Sequence, residues 1–402
     1  MKKFLALALA LVMTASLAAC GGESTPPAGS GSGGEAASPY KVAMITDYGD
    51  ITDQSFNQTT YEACKAFCEA NSVQFNYYKP NGDTTAERVA MVDAAVADGY
   101  NVIVMPGYAF GGTIVEAAPL NPDVKFVALD VGEGDLLDPA VTAKGEEYDW
   151  NPANWTLSDY VDLSNVYCAV YQEELCGYMA GYAAVKMGYD HLGFLGGMAV
   201  PAVVRYGYGY VQGADAAAGE TGAKVSMEYV YGNQFFGDGD ITAYMDTWYK
   251  TMGVQAVFAC GGGIYTSAAE AAANVAGGAK VIGVDTDQAA VIDAYGEGMT
   301  ITSAMKGLAP TVDTLLGEIV LNDNWDQYAG KIQTLGLVSG DDPEANYVQI
   351  PMESTQWGDG FSQDDYKALV SKMYSGEVKV SNDIGAEPAV SNITVTYYGN
   401  IK

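Results

Sequence analysis

Three aspartates stand directly after apolar segments of the chain, where a carboxylate could bind a ligand. Asp47 follows VAMIT at 42–46, Asp130 ends the segment FVALD, and Asp285 follows KVIGV. An ionised carboxylate accepts hydrogen bonds from a vicinal diol, or from a ring N–H and an exocyclic amine, and can do so bidentately. Each charge-assisted bond contributes roughly 1.5–3 kcal/mol. We therefore treat these three as candidate binding residues and expect most other acidic residues to be solvated.

Glycines and aromatic residues follow apolar segments in the same way. The glycines at 261–263, with Gly262 at their centre, would let the backbone approach a ligand closely, although strand-end turns also use glycine. Phe56 in DQSFNQ and the pair Phe235 and Phe236 in YGNQFFGD could stack on a planar ligand. A hydrophobic staple at a helix start is the alternative for Phe56. One aromatic stack at ~1–3 kcal/mol, with two carboxylates, would supply much of a micromolar affinity.

The signatures of enzymes are largely missing from the sequence. It contains no G-x-x-x-x-G-K-[ST] loop, no G-x-S-x-G elbow, and no G-x-G-x-x-G after its first apolar segment. His191 is the only histidine, which argues against His-based metal clusters and Ser-His-Asp catalysis. With 19 basic and 50 acidic residues the net charge is −31, which excludes nucleic acid as an expected partner. We expect no catalytic residues, no metal and no cofactor.

The N-terminus has the pattern of an export signal over residues 1–19. Lys2 and Lys3 precede the apolar stretch 4–13, and LAAC at 17–20 resembles the bacterial lipobox. That resemblance implies diacylglycerol attachment to Cys20, whereas simple secretory cleavage near Ala19 is the alternative. The lipidated cysteine and a Gly/Ser/Pro-rich tether then occupy 20–39, with a root-mean-square reach of roughly 25 Å.

The remainder of the chain alternates short apolar segments with helical ones, which predicts parallel sheets covered on both faces. Ten strands are too many for one such sheet, so two α/β lobes are expected. We assign 40–172 with 303–330 to lobe 1, and 173–302 with 331–402 to lobe 2. The ten predicted strands cover 42–46, 73–78, 101–105, 124–130, 165–170, 191–195, 224–231, 255–259, 279–284 and 300–305. The predicted helices cover 55–71, 84–98, 172–187, 203–219, 239–252, 264–276 and 308–322.

Three features between these elements carry further expectations. The polar and aromatic segment 131–163 lacks clear periodicity and is predicted to be a surface insertion. The small residues on the helix 172–187 indicate close helix packing. The five cysteines after Cys20 are expected to be mostly buried thiols, with a Cys168–Cys176 bridge left open.

The chain carries a series of short motifs in one order: DYG at 47–49, DQSFNQ at 53–58, YAFG at 108–111, FVALD at 126–130, YQEE at 171–174, FLGGM at 194–198 with Pro201 and Arg205, ACGGG at 259–263, GVDTDQ at 283–288, TSAMK at 302–306 and SGEVKV at 375–380. Taken in order, these motifs resemble the basic membrane protein family, the purine-nucleoside-receptor lipoproteins of ABC importers. The resemblance covers about 41–340 and 362–380.

The resemblance implies a type I periplasmic-binding-protein fold, in which two Rossmann-like lobes with parallel sheets enclose a ligand cleft. It implies that Phe56 and Phe235 or Phe236 sandwich a base, and that Asn57 and Asp130 read its polar edge. Asp285 would hold ribose hydroxyls, with Asp47, Gly262 and Lys306 nearby. The loop GNQFFGD departs from the usual spacing, so the identity of the stacking phenylalanine stays open. The segment 131–163 directly follows Asp130, so base specificity stays open as well.

The expected function is that of a monomeric solute-binding lipoprotein on the outer face of the cell membrane. It would bind a purine nucleoside of the guanosine, inosine or adenosine class and deliver it to an ABC permease and its ATPase subunits. Hinges are expected near 171–175, 301–306 and 325–335. A protein binding a sugar or another small polar solute, a signalling receptor of the same fold, and a nucleoside hydrolase using Asp47 or Asp285 are the alternatives.

Overall fold

The computed structural model describes residues 38–402. The predicted signal, Cys20 and all but the last two tether residues lie outside this range. Thirteen strands lie within it: β1 (Lys41–Ile45), β2 (Gln74–Tyr78), β3 (Val102–Pro106), β4 (Lys125–Leu129), β5 (Val166–Tyr171), β6 (His191–Gly196), β7 (Val225–Tyr231), β8 (Ala256–Cys260), β9 (Lys280–Asp285), β10 (Thr300–Lys306), β11 (Lys331–Leu335), β12 (Val348–Gln349) and β13 (Ile393–Asn400).

Eleven α-helices lie in the same residues: α1 (Phe56–Ala70), α2 (Thr85–Ala97), α3 (Phe110–Ala117), α4 (Glu133–Ala143), α5 (Glu173–Lys186), α6 (Pro201–Thr221), α7 (Gly239–Thr247), α8 (Tyr265–Ala273), α9 (Ala289–Ile292), α10 (Leu308–Leu316) and α11 (Gln363–Tyr374). Local capping explains where several of them begin. The Thr84 side chain accepts a hydrogen bond from the Glu87 amide at the start of α2, and Ser362 and Asp365 form a capping box at α11.

The strands form two sheets, one in each lobe. The first has the order β11-β5-β4-β3-β1-β2, and all of its pairings are parallel, with Met44 of β1 opposite Tyr77 and Val104. The second has the order β12-β10-β9-β8-β6-β7-β13, in which only the short β12 runs antiparallel. Central strands such as β3 and β8 are wholly buried because helices cover both faces, as their continuous apolar sequences require.

The chain crosses between the lobes after β5, after β10 and after β11. The strand pairing differs from the predicted lobe boundaries at two places. Residues 303–306 belong to β10 in the second sheet, and 331–335 form β11 beside β5 in the first sheet. β11 was not predicted because its sequence, KIQTL, forms an exposed edge strand and lacks a continuous apolar run. The third crossover therefore follows Leu335 instead of lying within 325–335.

All ten predicted strands are present, with each end within one residue of its predicted position. The seven predicted helices are present too, although the last residues of two of them, Trp248–Met252 and Gly317–Leu321, are π-helical. The prediction of small-residue helix packing is confirmed: a Cβ at Gly177 would lie 2.2 Å from the Tyr206 carbonyl oxygen, and one at Gly209 would lie 2.1 Å from the Glu174 carbonyl oxygen. α5 and α6 can approach this closely only because glycines face backbone.

The description of 131–163 as a surface insertion is wrong in part. It contains α4, whose Leu136 and Leu137 are fully buried, and Tyr148 packs beneath that helix. The apolar periodicity of α4 extends over only a few residues, and Pro139 lies inside the helix. The helix was therefore not predicted from the sequence. The described cysteines are buried free thiols, and the bridge left open between Cys168 and Cys176 is absent.

Candidate functional site

The nine residues predicted to bind ligand line a single cavity of about 1070 Å³. They reach it from both lobes, because the carboxyl ends of the two parallel sheets face the same cleft. From the first lobe and then the second, they are Asp47, Phe56, Asn57, Asp130, Phe235, Phe236, Gly262, Asp285 and Lys306.

Asp130 and Asp285 occupy equivalent positions at the ends of β4 and β9. Both have left-handed backbone conformations, with φ of 60° and 64°. Few residues other than glycine adopt this region, and such strain is concentrated at functional sites. Asp285 is buried, and its Oδ2 accepts a 2.7 Å hydrogen bond from the Ser55 hydroxyl of the other lobe. The two carboxylates therefore enter the cavity from opposite lobes.

Lys306, at the end of β10, is the buried cation around which these acids gather. Its Nζ forms an ion pair with Asp130 and lies 3.5 Å from both Glu173 Oε1 and Asp285 Oδ1. Glu173 is itself completely buried, and its Oε2 accepts a 2.6 Å hydrogen bond from Arg205 Nε. Three acids and two bases thus form one connected network across the cleft. Neither Glu173 nor Arg205 was predicted from the sequence to be a site residue.

Burial favours the neutral form of two carboxyl groups at the site, those of Asp130 and Glu174. Desolvation raises the pKa of Asp130 to about 7, with further increases from Glu173 and Asp285, although Lys306 acts in the opposite direction. Desolvation also raises the pKa of Glu174 to about 7, where it follows Glu173 at the start of α5. Asp130 Oδ1 and Glu174 Oε2 have no hydrogen-bond partner among the described residues. Asp130 therefore retains an acceptor, or a proton, for a bound molecule.

These raised pKa values predict that stability falls as the pH rises from about 4 to about 7. Across that range the folded protein keeps protons on Asp130 and Glu174 that the unfolded chain has already released. Stability decreases wherever the native state binds more protons than the unfolded state. We expect the free energy of unfolding, measured by urea titration, to fall by at least ~2 kcal/mol between pH 4.5 and pH 7.5. The double variant Asp130→Asn/Glu174→Gln should show a flatter dependence, with a remaining slope from Asp135, whose pKa burial raises to about 6. An unchanged slope would contradict the assignment.

Asp47 and Asn57 are tied to the loop between β1 and α1. Asp47 Oδ1 accepts hydrogen bonds from the amides of Tyr48 and Gly49, both at 2.6 Å, and from Asn57 Nδ2 at 3.1 Å. Asn57 Nδ2 also donates to Asp53 at 3.1 Å, whereas its buried Oδ1 has no partner in the described part of the chain. Both residues line the cavity. Asp47 therefore shapes the loop, and Asn57 offers the cavity an acceptor and not a donor.

The aromatic side chains differ in how far they enter the cavity. The Lys306 ammonium lies 4.7 Å from the centre of the Phe56 ring, so this ring packs on the charged network. The Phe235 ring packs closely against Gly197, where a Cβ would lie only 2.4 Å from the ring. Its ring centre is 6.2 Å from that of Tyr48 in the other lobe. Phe236 is 61% exposed at the cavity mouth, so the geometry favours Phe235 as the inner aromatic residue.

Hydrogen bonds between the lobes hold the cleft in a closed arrangement. In addition to the Ser55–Asp285 bond, Gln288 Nε2 donates to the Gln54 carbonyl oxygen at 3.0 Å. The Asp130–Lys306 ion pair also joins the first lobe to the second. The lobes therefore contact each other through side chains of the cavity itself, which couples the site to closure.

Several residues that line the cavity were not predicted to do so. Those that follow α4 or precede β13 could not be predicted, because no local pattern relates these segments to the strand ends. The unpredicted lining residues include Tyr48, Tyr108, Gly134, Asp135, Tyr148, Trp150, Pro152, Tyr206, Ile384 and Gly385, together with 199–205.

Two features are absent from residues 38–402. No group of three or more His, Cys, Asp or Glu side chains in this range has the arrangement of a metal-ion site. No helix in the same range combines the length and apolar character needed to cross a membrane.

Two lobes with parallel sheets around a cleft define a periplasmic-binding-protein-like α/β fold, and solved structures share it. An ABC transporter solute-binding protein from Conexibacter woesei DSM 14684 superposes with a TM-score of 0.61 at 22% identity. The match covers 85% of this chain and 99% of that one. A solute-binding protein of an ABC transporter system from Aeropyrum pernix K1 gives a TM-score of 0.60 at 20% identity, over 86% and 88% of the two chains. These similarities establish the fold.

The chain belongs to the family of PnrA-like ABC transporter substrate-binding proteins, whose sequence model matches residues 40–382. The chain is also similar to the ABC transporter nucleoside-binding protein BmpA of Lactococcus lactis subsp. cremoris, with 26% identity over 70% of this chain and 72% of that one. The predicted family and fold class are therefore confirmed, and the family members are substrate-binding proteins of ABC transporters rather than enzymes.

Proposed function

We propose that this protein is a lipid-anchored receptor that binds a purine nucleoside between its lobes and delivers it to an ABC permease. The observation that supports this most is the cavity itself, where inner aromatic rings and strand-end carboxylates from both lobes line one space. The name of the nucleoside-binding relative points to the same ligand class. Binding and lobe closure need no covalent step, so the proposal assigns no catalytic residue.

In the proposed complex each part of a nucleoside meets a matching group. The base lies between Phe56 and Phe235, and Asn57 and Asp130 contact its polar edge. The ribose hydroxyls donate to Asp285, whose carboxylate already accepts hydrogen bonds. Because Asp285, Asp130 and Lys306 also hold the lobes together, a ligand that bridges them would favour the closed state over an open one.

The charges around the cavity favour a neutral ligand over a phosphorylated one. Of the described lining residues, seven are acidic and three are basic. Each of these cations already has a carboxylate partner: Lys79 pairs with Asp50, Arg205 with Glu173, and Lys306 with Asp130. A phosphate would therefore enter a negative field with no free cation among the described lining residues.

The experiment that tests this function is a titration of the soluble protein, lacking residues 1–38, with guanosine and guanosine monophosphate. We expect guanosine to bind at least tenfold more tightly, a difference of ~1.4 kcal/mol. Isothermal titration calorimetry at low salt gives both constants. Equal affinities would refute the charge argument, and a thermal shift with ribose-like sugars but none with guanosine, inosine or adenosine would refute the nucleoside assignment in favour of a sugar-binding protein.

The anchor and the permease complete the proposal. Lipid on Cys20 would hold the protein at the outer face of the cell membrane, and the tether at 20–39 would let the monomeric body reach a permease and its ATPase subunits. Mass spectrometry of the protein from a membrane fraction should find diacylglycerol on Cys20. The proposed anchor would be contradicted if mass spectrometry found an unmodified N-terminus near Gly21, or one that starts at a residue before Cys20.

A further inference from the structure

The cavity is larger than the proposed ligand requires. It measures about 1070 Å³. A purine nucleoside of about 19 non-hydrogen atoms fills only roughly a quarter of that volume at the packing density of protein interiors. The strand-end residues account for the nucleoside, so the remaining space lies beside other lining residues and can accommodate a further group.

Four residues after β4 form one wall of that remaining space, which we call the outer compartment: Gly134, Tyr148, Trp150 and Pro152. They are close to one another, because a Cβ at Gly134 would lie 3.3 Å from the Tyr148 hydroxyl and 3.6 Å from Pro152 Cγ. The rings of Tyr148 and Trp150 are tilted by 57° with centres 5.5 Å apart. A side chain at Gly134 would therefore press on the tyrosine hydroxyl.

Trp150 has two unusual properties for a tryptophan. Its side chain is 75% exposed although it lines the cavity, and its backbone φ is 59°. A bulky residue with positive φ is a conformational outlier, and such strain is typical of ligand-contacting segments. The fold therefore holds a large aromatic ring at the cavity wall without burying it against protein.

Tyr148 adds a polar group to this wall. The residue is buried, yet its hydroxyl has no hydrogen-bond partner among the described residues. Burial and the neighbouring acids Asp149, Glu133 and Asp135 raise the pKa of Tyr148 to about 12, so the hydroxyl remains a donor at neutral pH. The same acids disfavour an anionic group.

We propose that the outer compartment binds an uncharged aromatic group attached to the nucleoside, so that aryl-substituted nucleosides are substrates together with unsubstituted ones. This inference rests on the proposed function. The added ring stacks on the exposed Trp150, beside Tyr148, while base and ribose keep their contacts at the strand ends. Aryl nucleosides therefore gain affinity from residues that an unsubstituted nucleoside does not reach.

The test compares adenosine with two aryl derivatives that place the ring at opposite ends, N6-benzyladenosine and 5′-O-benzoyladenosine. We expect at least one derivative to bind the wild-type protein about tenfold more tightly than adenosine, as one aromatic stack provides. Trp150→Ala should remove this gain and leave adenosine binding within twofold of wild type. Calorimetric titration measures all three ligands.

Tyr374→Ala is the matched control, because Tyr374 is a 54% exposed aromatic residue outside the cavity lining. It should retain the gain. The inference is overturned if neither derivative binds better than adenosine, or if Trp150→Ala keeps the full gain. Failure of adenosine and both derivatives to bind would instead overturn the nucleoside function itself, and with it the inference.

Discussion

Replacing Asp285 with alanine is expected to weaken nucleoside binding by about 10- to 100-fold. The carboxylate lies at the end of β9, where its Oδ2 accepts the Ser55 hydroxyl and its Oδ1 lies 3.5 Å from Lys306 Nζ. In the proposed complex it also accepts the ribose hydroxyls. Charge-assisted hydrogen bonds contribute roughly 1.5–3 kcal/mol, which corresponds to the expected loss.

The affinity loss has a second cause in the closed arrangement of the lobes. Ser55 lies in the first lobe and Asp285 in the second, so the substitution removes a bond between them. A protein whose binding-competent state is less populated has a lower apparent affinity. Ligand at about a hundred times its dissociation constant should stabilise the wild-type protein by ~2.7 kcal/mol. The thermal shift of Asp285→Ala at the same ligand concentration should be far smaller.

Asp287→Ala provides the matched control, because Asp287 is an exposed aspartate only two residues away that does not line the cavity. It should bind guanosine within twofold of wild type. Calorimetric titration of both variants separates a local effect of the carboxylate from damage to the loop after β9. If Asp285→Ala binds within threefold of wild type, this residue does not hold the ribose.

The positions of the strand-end carboxylates were predictable because they depend on local sequence. Continuous apolar segments between helices predict buried parallel strands, and the residue after each segment then lies at the edge that faces the cleft. Asp130 and Asp285 were found in this way, and their positive φ values reflect the turn that follows each strand. To predict that both residues line one cavity, it was enough to know where the strands end. The order of the strands in the sheet was not needed.

The partners of these carboxylates were not predictable from local sequence. Glu173 and Arg205 lie on different helices, and their 2.6 Å contact depends on the glycine-mediated approach of α5 and α6. Asp47 was identified by the same strand-end argument as Asp285. Asp47 Oδ1 nevertheless accepts hydrogen bonds from the amides of its own loop. This difference from Asp285 depends on the backbone geometry of the loop. The outer compartment was missed because its residues lie within or after α4, a helix that the sequence pattern did not predict.

Replacing Lys306 with methionine is expected to lower the free energy of unfolding by about 3 kcal/mol, because it leaves buried acids without their common cation. Only 3% of the lysine side chain is exposed, and its ammonium faces Asp130, Glu173 and Asp285. Methionine keeps much of the volume and packing of the lysine stem. Arg205 remains paired with Glu173, so the cost falls chiefly on the two aspartates.

The pH dependence of this loss distinguishes charge from packing. Since desolvation raises the pKa of Asp130 to about 7, this carboxyl is mostly neutral at pH 5 and needs no cation there. Urea unfolding should therefore show a larger destabilisation by Lys306→Met at pH 8 than at pH 5. Adding Asp130→Asn to the Lys306→Met chain should restore about 1 kcal/mol or more of the free energy of unfolding at pH 8. Lys65→Met, at an exposed lysine of α1, should change stability by no more than ~0.5 kcal/mol. A loss that is equal at both pH values would mean that packing by the lysine stem, and not its charge, stabilises the closed cleft.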